Sequence, residues 1–152
     1  MPDTKLITVG WREWVGLPDL GIARIKAKID TGARTSALHA FELQSFKERG
    51  SPHVRFRIHP KQYRTDIEMT CEARVIDQRV VADSGGHREE RYVIETPIKL
   101  AGQTWPIEMT LTARDDMRFR MLLGRTAMSG RILVDPSRSY LTKKATKQRL
   151  KQ

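Results

Sequence analysis

The residues best placed to do chemistry are Asp30, Thr31 and Gly32, within the run Lys28-Ile29-Asp30-Thr31-Gly32-Ala33-Arg34-Thr35-Ser36-Ala37-Leu38. A carboxylate at a strand end can activate water as a general base. A neighbouring threonine hydroxyl donates or accepts a hydrogen bond, and a glycine lets the chain turn sharply with positive φ at little cost. The same three residues also make an ordinary surface turn, because Asp and Gly are common turn formers. The tripeptide alone does not decide between the two.

The flanking pattern supplies the element that positions it. Ile25, Ala27 and Ile29 alternate with Arg24, Lys26 and Lys28, so a strand over 22–29 with one apolar face delivers Asp30 at its end. Residues 5–9 read as a first strand, and Trp11 to Leu20 as a loop-like link whose two tryptophans anchor packing beneath the sheet. Over 37–49 no clean period is visible, although Phe41, Leu43 and Phe46 could pack in a short strand or turn. Val54, Phe56 and Ile58 alternate with Arg55 and Arg57, and Met69, Cys71, Ala73 and Val75 with Thr70, Glu72 and Arg74. Cys71 thus falls on an apolar side, as a small core residue rather than a nucleophile. The stripe Tyr92, Ile94, Thr96, Ile98, Leu100 turns at Ala101-Gly102 into Trp105, Ile107, Met109, Leu111, Ala113. A strand ends at Leu123, a helical turn or two follows over 126–131, and 132–134 makes a last strand. Short alternating strands with almost no helical period predict an all-β, closed barrel.

Four separated motifs stand in order: Val-Gly-Trp-Arg-Glu at 9–13, the Asp30 run at 28–38, Met-Leu-Leu-Gly-Arg at 121–125, and Val-Asp-Pro-Ser-Arg-Ser-Tyr-Leu at 134–141. Together they resemble the small bacterial retropepsin-like aspartic endopeptidases of the RimB-like group, often labelled an ATP-dependent zinc protease. The similarity spans residues 5–141. It implies an acid-protease fold in a single domain, 1–141, followed by a basic tail, 142–152, expected to be flexible.

The resemblance assigns roles. Asp30, Thr31 and Gly32 would be the catalytic loop, and Leu122, Leu123, Gly124 and Arg125 the element that packs beside and supports it. The Gly-rich turn Asp83-Ser84-Gly85-Gly86-His87-Arg88, between Val80-Val81 and Tyr92-Val93-Ile94, would be a flap over bound peptide. Ser84, Gly85, Gly86 and His87 then contact substrate, as do Ala33 and Arg34. Aspartic peptidases need two carboxylates a few ångströms apart, which share one proton because both cannot ionise together. One acts as general base while its protonated partner polarises the scissile carbonyl. With one Asp-Thr-Gly in the chain, the second carboxylate must come from another copy related by a twofold axis, so a homodimer is expected. Viral-type retropepsins carry an acid where this chain has Arg34. Arg125 must therefore find another partner, with Asp115, Asp116 or solvent as candidates, and Arg34 favours carboxylate-bearing substrates. The resemblance further implies association with ATP-grasp glutamate ligases that modify ribosomal protein tails.

Neither half of the zinc and ATP label is written in the residues. No Gly-x4-Gly-Lys-Ser/Thr phosphate loop is present. His39, His53, His59 and His87 occur singly, without His-Glu-x-x-His or Cys-x-x-Cys, so neither metal nor cofactor is expected. No apolar run approaches the ~20 residues of a membrane span. The lone cysteine excludes an intrachain disulfide, and the N-terminal residues lack the apolar core of a leader, which together predict a cytoplasmic protein. Net charge is +10, but six of those charges lie beyond Pro136, where there is no acid, leaving +4 for the rest. Two other readings therefore stay open. One is a non-catalytic adaptor that binds an acidic peptide or a ligase on the same barrel. The other is a ribosome- or RNA-binding barrel that uses the basic tail.

Overall fold

The computed structural model describes residues 6–62, 64–82, 85–113 and 118–142. They form eleven strands, one short α-helix and a single 3-10 turn at Pro18–Leu20: β1 (Ile7–Val9), β2 (Arg12–Leu17), β3 (Ile22–Ile29), β4 (Ser36–His39), β5 (Phe41–Glu48), β6 (Ser51–Ile58), β7 (Met69–Ala82), β8 (Arg88–Leu100), β9 (Gln103–Thr112), β10 (Met121–Leu123), α1 (Arg125–Met128) and β11 (Ile132–Val134). The fold is all-β, as the alternating stripes predict.

One sheet runs in the order β2-β3-β10-β4-β9-β8-β7-β6-β5, and β2 also meets β8. That last contact, Gly16 opposite Lys99, closes the first six strands into a ring. A Cβ on Gly16 would lie 3.0 Å from the Ala23 carbonyl oxygen and 3.5 Å from the Lys99 Cβ. A residue without a side chain therefore suits the point of closure. Inside the ring, Ile25, Leu38, Ile94, Ile98, Met109, Leu111 and Met121 are fully buried, and their burial is the main force closing the sheet. Strands β7, β6 and β5 continue outward from β8, while β1 and β11 pair separately as a parallel two-stranded sheet.

Several segments differ from the sequence expectation. Residues 12–17, expected as part of a loop, are strand β2, antiparallel to β3. The inward positions are Glu13, Val15 and Leu17, and an acid at the first of them hides the period. Trp14 is not beneath the sheet: it lies opposite Lys26 on the outer face, stacked on Tyr140 at 6.2 Å. Trp11, half-buried just before β2, meets Phe119 edge-on at 5.9 Å. Residues 36–48 are two strands, broken where Ala40 leaves β4, and Glu42 takes a φ of 52°. The left-handed residue produces a register shift between Phe41 and Gln44, which erases the alternation. Residues 69–75 and Val80-Val81 belong to one long strand, β7, with a shift between Val75 and Asp77.

Glu13 is completely buried and accepts four hydrogen bonds. Its donors are the amides of Gly10 at 2.7 Å, Leu141 at 2.8 Å and Thr142 at 3.1 Å, and the Thr142 hydroxyl at 2.8 Å. Thr142, at the start of the expected tail, is thus tied into the domain; residues 143–152 lie outside the described ones.

Cys71 is buried, its Sγ 3.5 Å from the Leu20 carbonyl oxygen. Burial pushes the thiol up to about 11, so almost no thiolate exists at neutral pH. Native protein should react with a thiol reagent at pH 7 at least tenfold more slowly than denatured protein. Equal rates would place Cys71 at the surface.

Candidate active site

The Asp30 loop is built between two strands that would otherwise splay apart. β10 runs parallel to β3, with Leu123 beside Ile29. Just past that register the Asp30 amide donates to the Leu123 carbonyl at 2.9 Å. The chain turns at once, the Ala33 amide returning to the Asp30 carbonyl at 3.2 Å. Then it runs alongside the start of α1: Arg125 N donates to Ala33 O at 2.8 Å and Thr126 N to Arg34 O at 3.1 Å. The loop is thereby hydrogen-bonded to the 123–126 segment along its whole length. Within it, the Gly32 amide donates to Asp30 Oδ1 at 3.0 Å and sets the carboxylate's orientation.

Gly124 is where the two segments come closest. Its amide donates to Ser36 Oγ at 3.0 Å, and a Cβ there would fall 2.6 Å from the Thr35 carbonyl carbon and 2.9 Å from the Ser36 nitrogen. Backbone on backbone cannot yield without moving the loop. Gly124→Ala should therefore cost about 1–3 kcal/mol and disturb the Asp30 loop. Shifted Asp30 and Gly32 amide resonances, with a lowered denaturation midpoint, would be the signature. Unchanged resonances would mean the loop is not held by this contact.

Asp30, Gly32, Ala33 and Arg34 line a cleft of about 770 Å³, whose floor is Leu122, Ala37, Thr110 and Thr112. The opposite wall is Arg79, Val80, Val81 and Ala82 of β7, with Arg91 of β8. Of the residues expected to touch substrate, Ala33 and Arg34 are in the cleft. Gly85, Gly86 and His87 are exposed at the hairpin tip and do not line it, and Ser84 lies outside the described residues. The arm of that hairpin forms the wall instead. This wall was not foreseen, because it comes from how the long β7 arm lies over the Asp30 loop rather than from any local motif.

Three arginines face the cleft, in different states. Arg79 is held by Asp77 at 2.8 Å and Glu108 at 3.0 Å, and its hydrogen bond keeps the Asp77 carboxyl below its ordinary range. Arg91, largely buried, reaches Thr110 Oγ1 at 3.3 Å and Glu89 at 3.4 Å. Thr110 in turn donates to the Ser36 carbonyl at 3.2 Å, which ties the floor to the strand after the loop. Arg34 is exposed, and among the described residues no acid pairs with it.

Arg125 reaches back to the loop it follows. Its Nη1 donates to the Gly32 carbonyl at 3.3 Å, so the cation braces the loop's backbone; Asp115 and Asp116 lie outside the described residues. Thr31 points away from the cleft, into a groove of about 390 Å³ with Arg125, Thr126, Met128, Ser129, Ile132 and Val134. The histidines are less isolated in space than in sequence: His59 stacks on Phe41 at 4.6 Å, and its ring lies 6.3 Å from that of buried His39.

An Asp-Thr-Gly loop at a strand end, braced by a parallel strand and opening on a cleft walled by a β-hairpin, defines a retropepsin-like protein. The chain belongs to the RimB-like family, whose description is retropepsin-like aspartic endopeptidase RimB and whose match covers residues 8–145. It is similar to proteins named probable alpha-L-glutamate ligase, being 49% identical to one from Shewanella pealeana over 92% of this chain. It is 47% identical to another from Parasynechococcus marenigrum over 90%. The chain spans only 30% and 29% of the length of those relatives. A crystal structure of a Legionella pneumophila protein of unknown function superposes with a TM-score of 0.76 at 26% identity, over 91% of this chain and 99% of that one.

Proposed function

We propose that this chain is an aspartic endopeptidase that works as a homodimer on acidic or glutamate-modified protein tails, such as those of ribosomal proteins. The observation that carries the reading is the placement of Asp30 at the cleft, held by the Leu123 carbonyl and oriented by the Gly32 amide. A twofold axis beside Thr31 would bring a second Asp30 next to the first. Supporting it, Thr31 is exposed beside a groove whose apolar lining is Met128, Ile132 and Val134. A second copy would cover that apolar surface.

In this reading the β7–β8 hairpin folds over an extended peptide, with Gly85, Gly86 and His87 meeting its backbone. Arg34, whose charge no described acid occupies, selects carboxylate side chains beside the scissile bond. The similarity to proteins named glutamate ligases supports a glutamate-rich substrate. The buried thiol of Cys71 suits a reducing cytoplasm.

The same similarity favours one rival. A domain that spans 30% of the length of relatives named ligases could hold acidic chains for a ligase without cutting them. Incubation of the purified chain with glutamate-rich and neutral peptides, followed by mass spectrometry, separates the two. New termini within the acidic peptide support the peptidase; tight binding with no cleavage by the dimer gives the adaptor its place.

A further inference from the structure

The outer face of β2 and β3 carries Arg12, Arg24, Lys26 and Lys28, and among the described residues none of the four is paired with an acid. In the strand register Lys28 lies directly opposite Arg12. Like charges in that relation destabilise a sheet. The cost is offset by aromatic rings, which hold the cations in place. Arg12 lies between Trp11 at 4.5 Å and Tyr140 at 4.8 Å. Arg24 covers Trp14 at 4.2 Å, and Lys26 is 5.2 Å from the same ring. Such contacts leave the positive charge available while restricting where it can be.

This face joins the cleft without a break. Residues paired across neighbouring strands share a face of the sheet. Lys28 is paired with Leu122, Leu122 with Ala37, and Ala37 with Thr110. The last three form the cleft floor. The cations of β2–β3 and the floor are therefore one continuous outer surface, with the Asp30 loop at its rim.

We propose that the β2–β3 face is an exosite that holds the acidic segment of a protein substrate while an adjoining part of that chain occupies the cleft; this rests on the peptidase reading above. Cations at alternate positions of a strand repeat every ~6.7 Å, and Arg24 to Lys28 covers ~13 Å. From Lys28 the floor at Ala37 is two strands away, ~10 Å. An extended segment of about seven residues follows that path. The rings favour a peptide over RNA. Trp14 is covered by Arg24 and stacked on Tyr140, while Trp11 faces Arg12 and meets Phe119 at its edge. The Trp14 ring and one face of Trp11 are thus already occupied, where single-strand binding needs open faces for bases to stack on.

The test uses the full chain carrying Asp30→Asn, so that binding is read without turnover. Fluorescence anisotropy measures labelled oligoglutamates of three, seven and ten residues, and a ten-nucleotide oligouridine. Affinity should rise from three to seven glutamates and then level off. Arg24→Gln with Lys26→Gln, which keeps much of each stem, should weaken binding of the seven-residue peptide roughly five- to tenfold. Lys26→Arg should restore most of the loss in the Lys26→Gln single variant. In otherwise wild-type protein the double variant should raise KM for acidic peptides and leave kcat unchanged. A double variant that binds the seven-residue peptide as tightly as its Asp30→Asn parent, or a larger loss for oligouridine than for oligoglutamate, overturns the exosite. Failure of the peptidase reading looks different: wild type cuts nothing, while the charge-dependent peptide affinity remains.

Discussion

Asp30→Asn should lower peptide cleavage by roughly 10³-fold or more while leaving fold, dimer and peptide affinity intact. The amide keeps the size of the carboxylate and still accepts the Gly32 hydrogen bond, but it cannot take a proton from water, and loss of a positioned general base costs about 10²–10⁴ in rate. The proposed pairing of two copies gives a sharper version. Wild type mixed and equilibrated with a tenfold excess of Asp30→Asn subunits is driven into mixed dimers, each lacking one carboxylate, so total activity should collapse. A monomeric catalyst would keep its activity in that mixture. The pH profile should be bell-shaped and centred on acid to mildly acidic pH. The shared proton is lost as pH rises, and the base is filled as pH falls. Cleavage should also continue in chelator and without ATP. An Asn variant as fast as wild type, or activity that tracks added zinc, would remove Asp30 from the chemistry.

The Asp30 loop was the most legible part of the chain because its information is local. An apolar alternation ending in Asp30, with a glycine two residues on, states both the strand and the turn. The supporting segment was legible for the same reason: two bulky residues before Gly124 mark a strand end, and the close approach to Thr35 explains the glycine. The cleft's far wall was not. Arg79 to Ala82 line it as four consecutive residues, an arrangement set by how the β7 arm lies over the Asp30 loop, and no periodicity encodes that approach. The partner of Arg125 was also beyond reach, because a backbone carbonyl has no residue type to recognise. Strand β2 was hidden for a chemical reason. Glu13 occupies an inward position where alternation demands an apolar side chain, and only the donors brought from Gly10 and from Leu141-Thr142 make that position tolerable.

Those donors make Glu13 the residue whose loss should cost the fold most. It is fully buried, and it joins three stretches of chain: the turn before β2, β2 itself and the segment ending at Thr142. Glu13→Ala leaves the amides of Gly10, Leu141 and Thr142 and the Thr142 hydroxyl without their acceptor. Each unsatisfied buried donor costs about 1–3 kcal/mol, and part is regained as water enters or the terminal segment lifts away. A net loss of about 3–5 kcal/mol is expected, which for a chain of this size lowers Tm by roughly 10 °C. Glu13→Gln should fall between Ala and wild type, since its one carbonyl oxygen still accepts while its amide group confronts the remaining donors. Thr142→Ala removes one donor along with its hydrogen bond, so it should cost only about 1 kcal/mol. It should cost almost nothing on top of Glu13→Ala, because the two act as one unit. Truncation should show the same boundary: ending the chain after Thr142 leaves the clamp whole, whereas ending it after Leu141 removes two of its four bonds. Denaturation curves of these variants decide the matter. A Glu13→Ala protein within 1 kcal/mol of wild type would mean that water satisfies the donors as well as the carboxylate does.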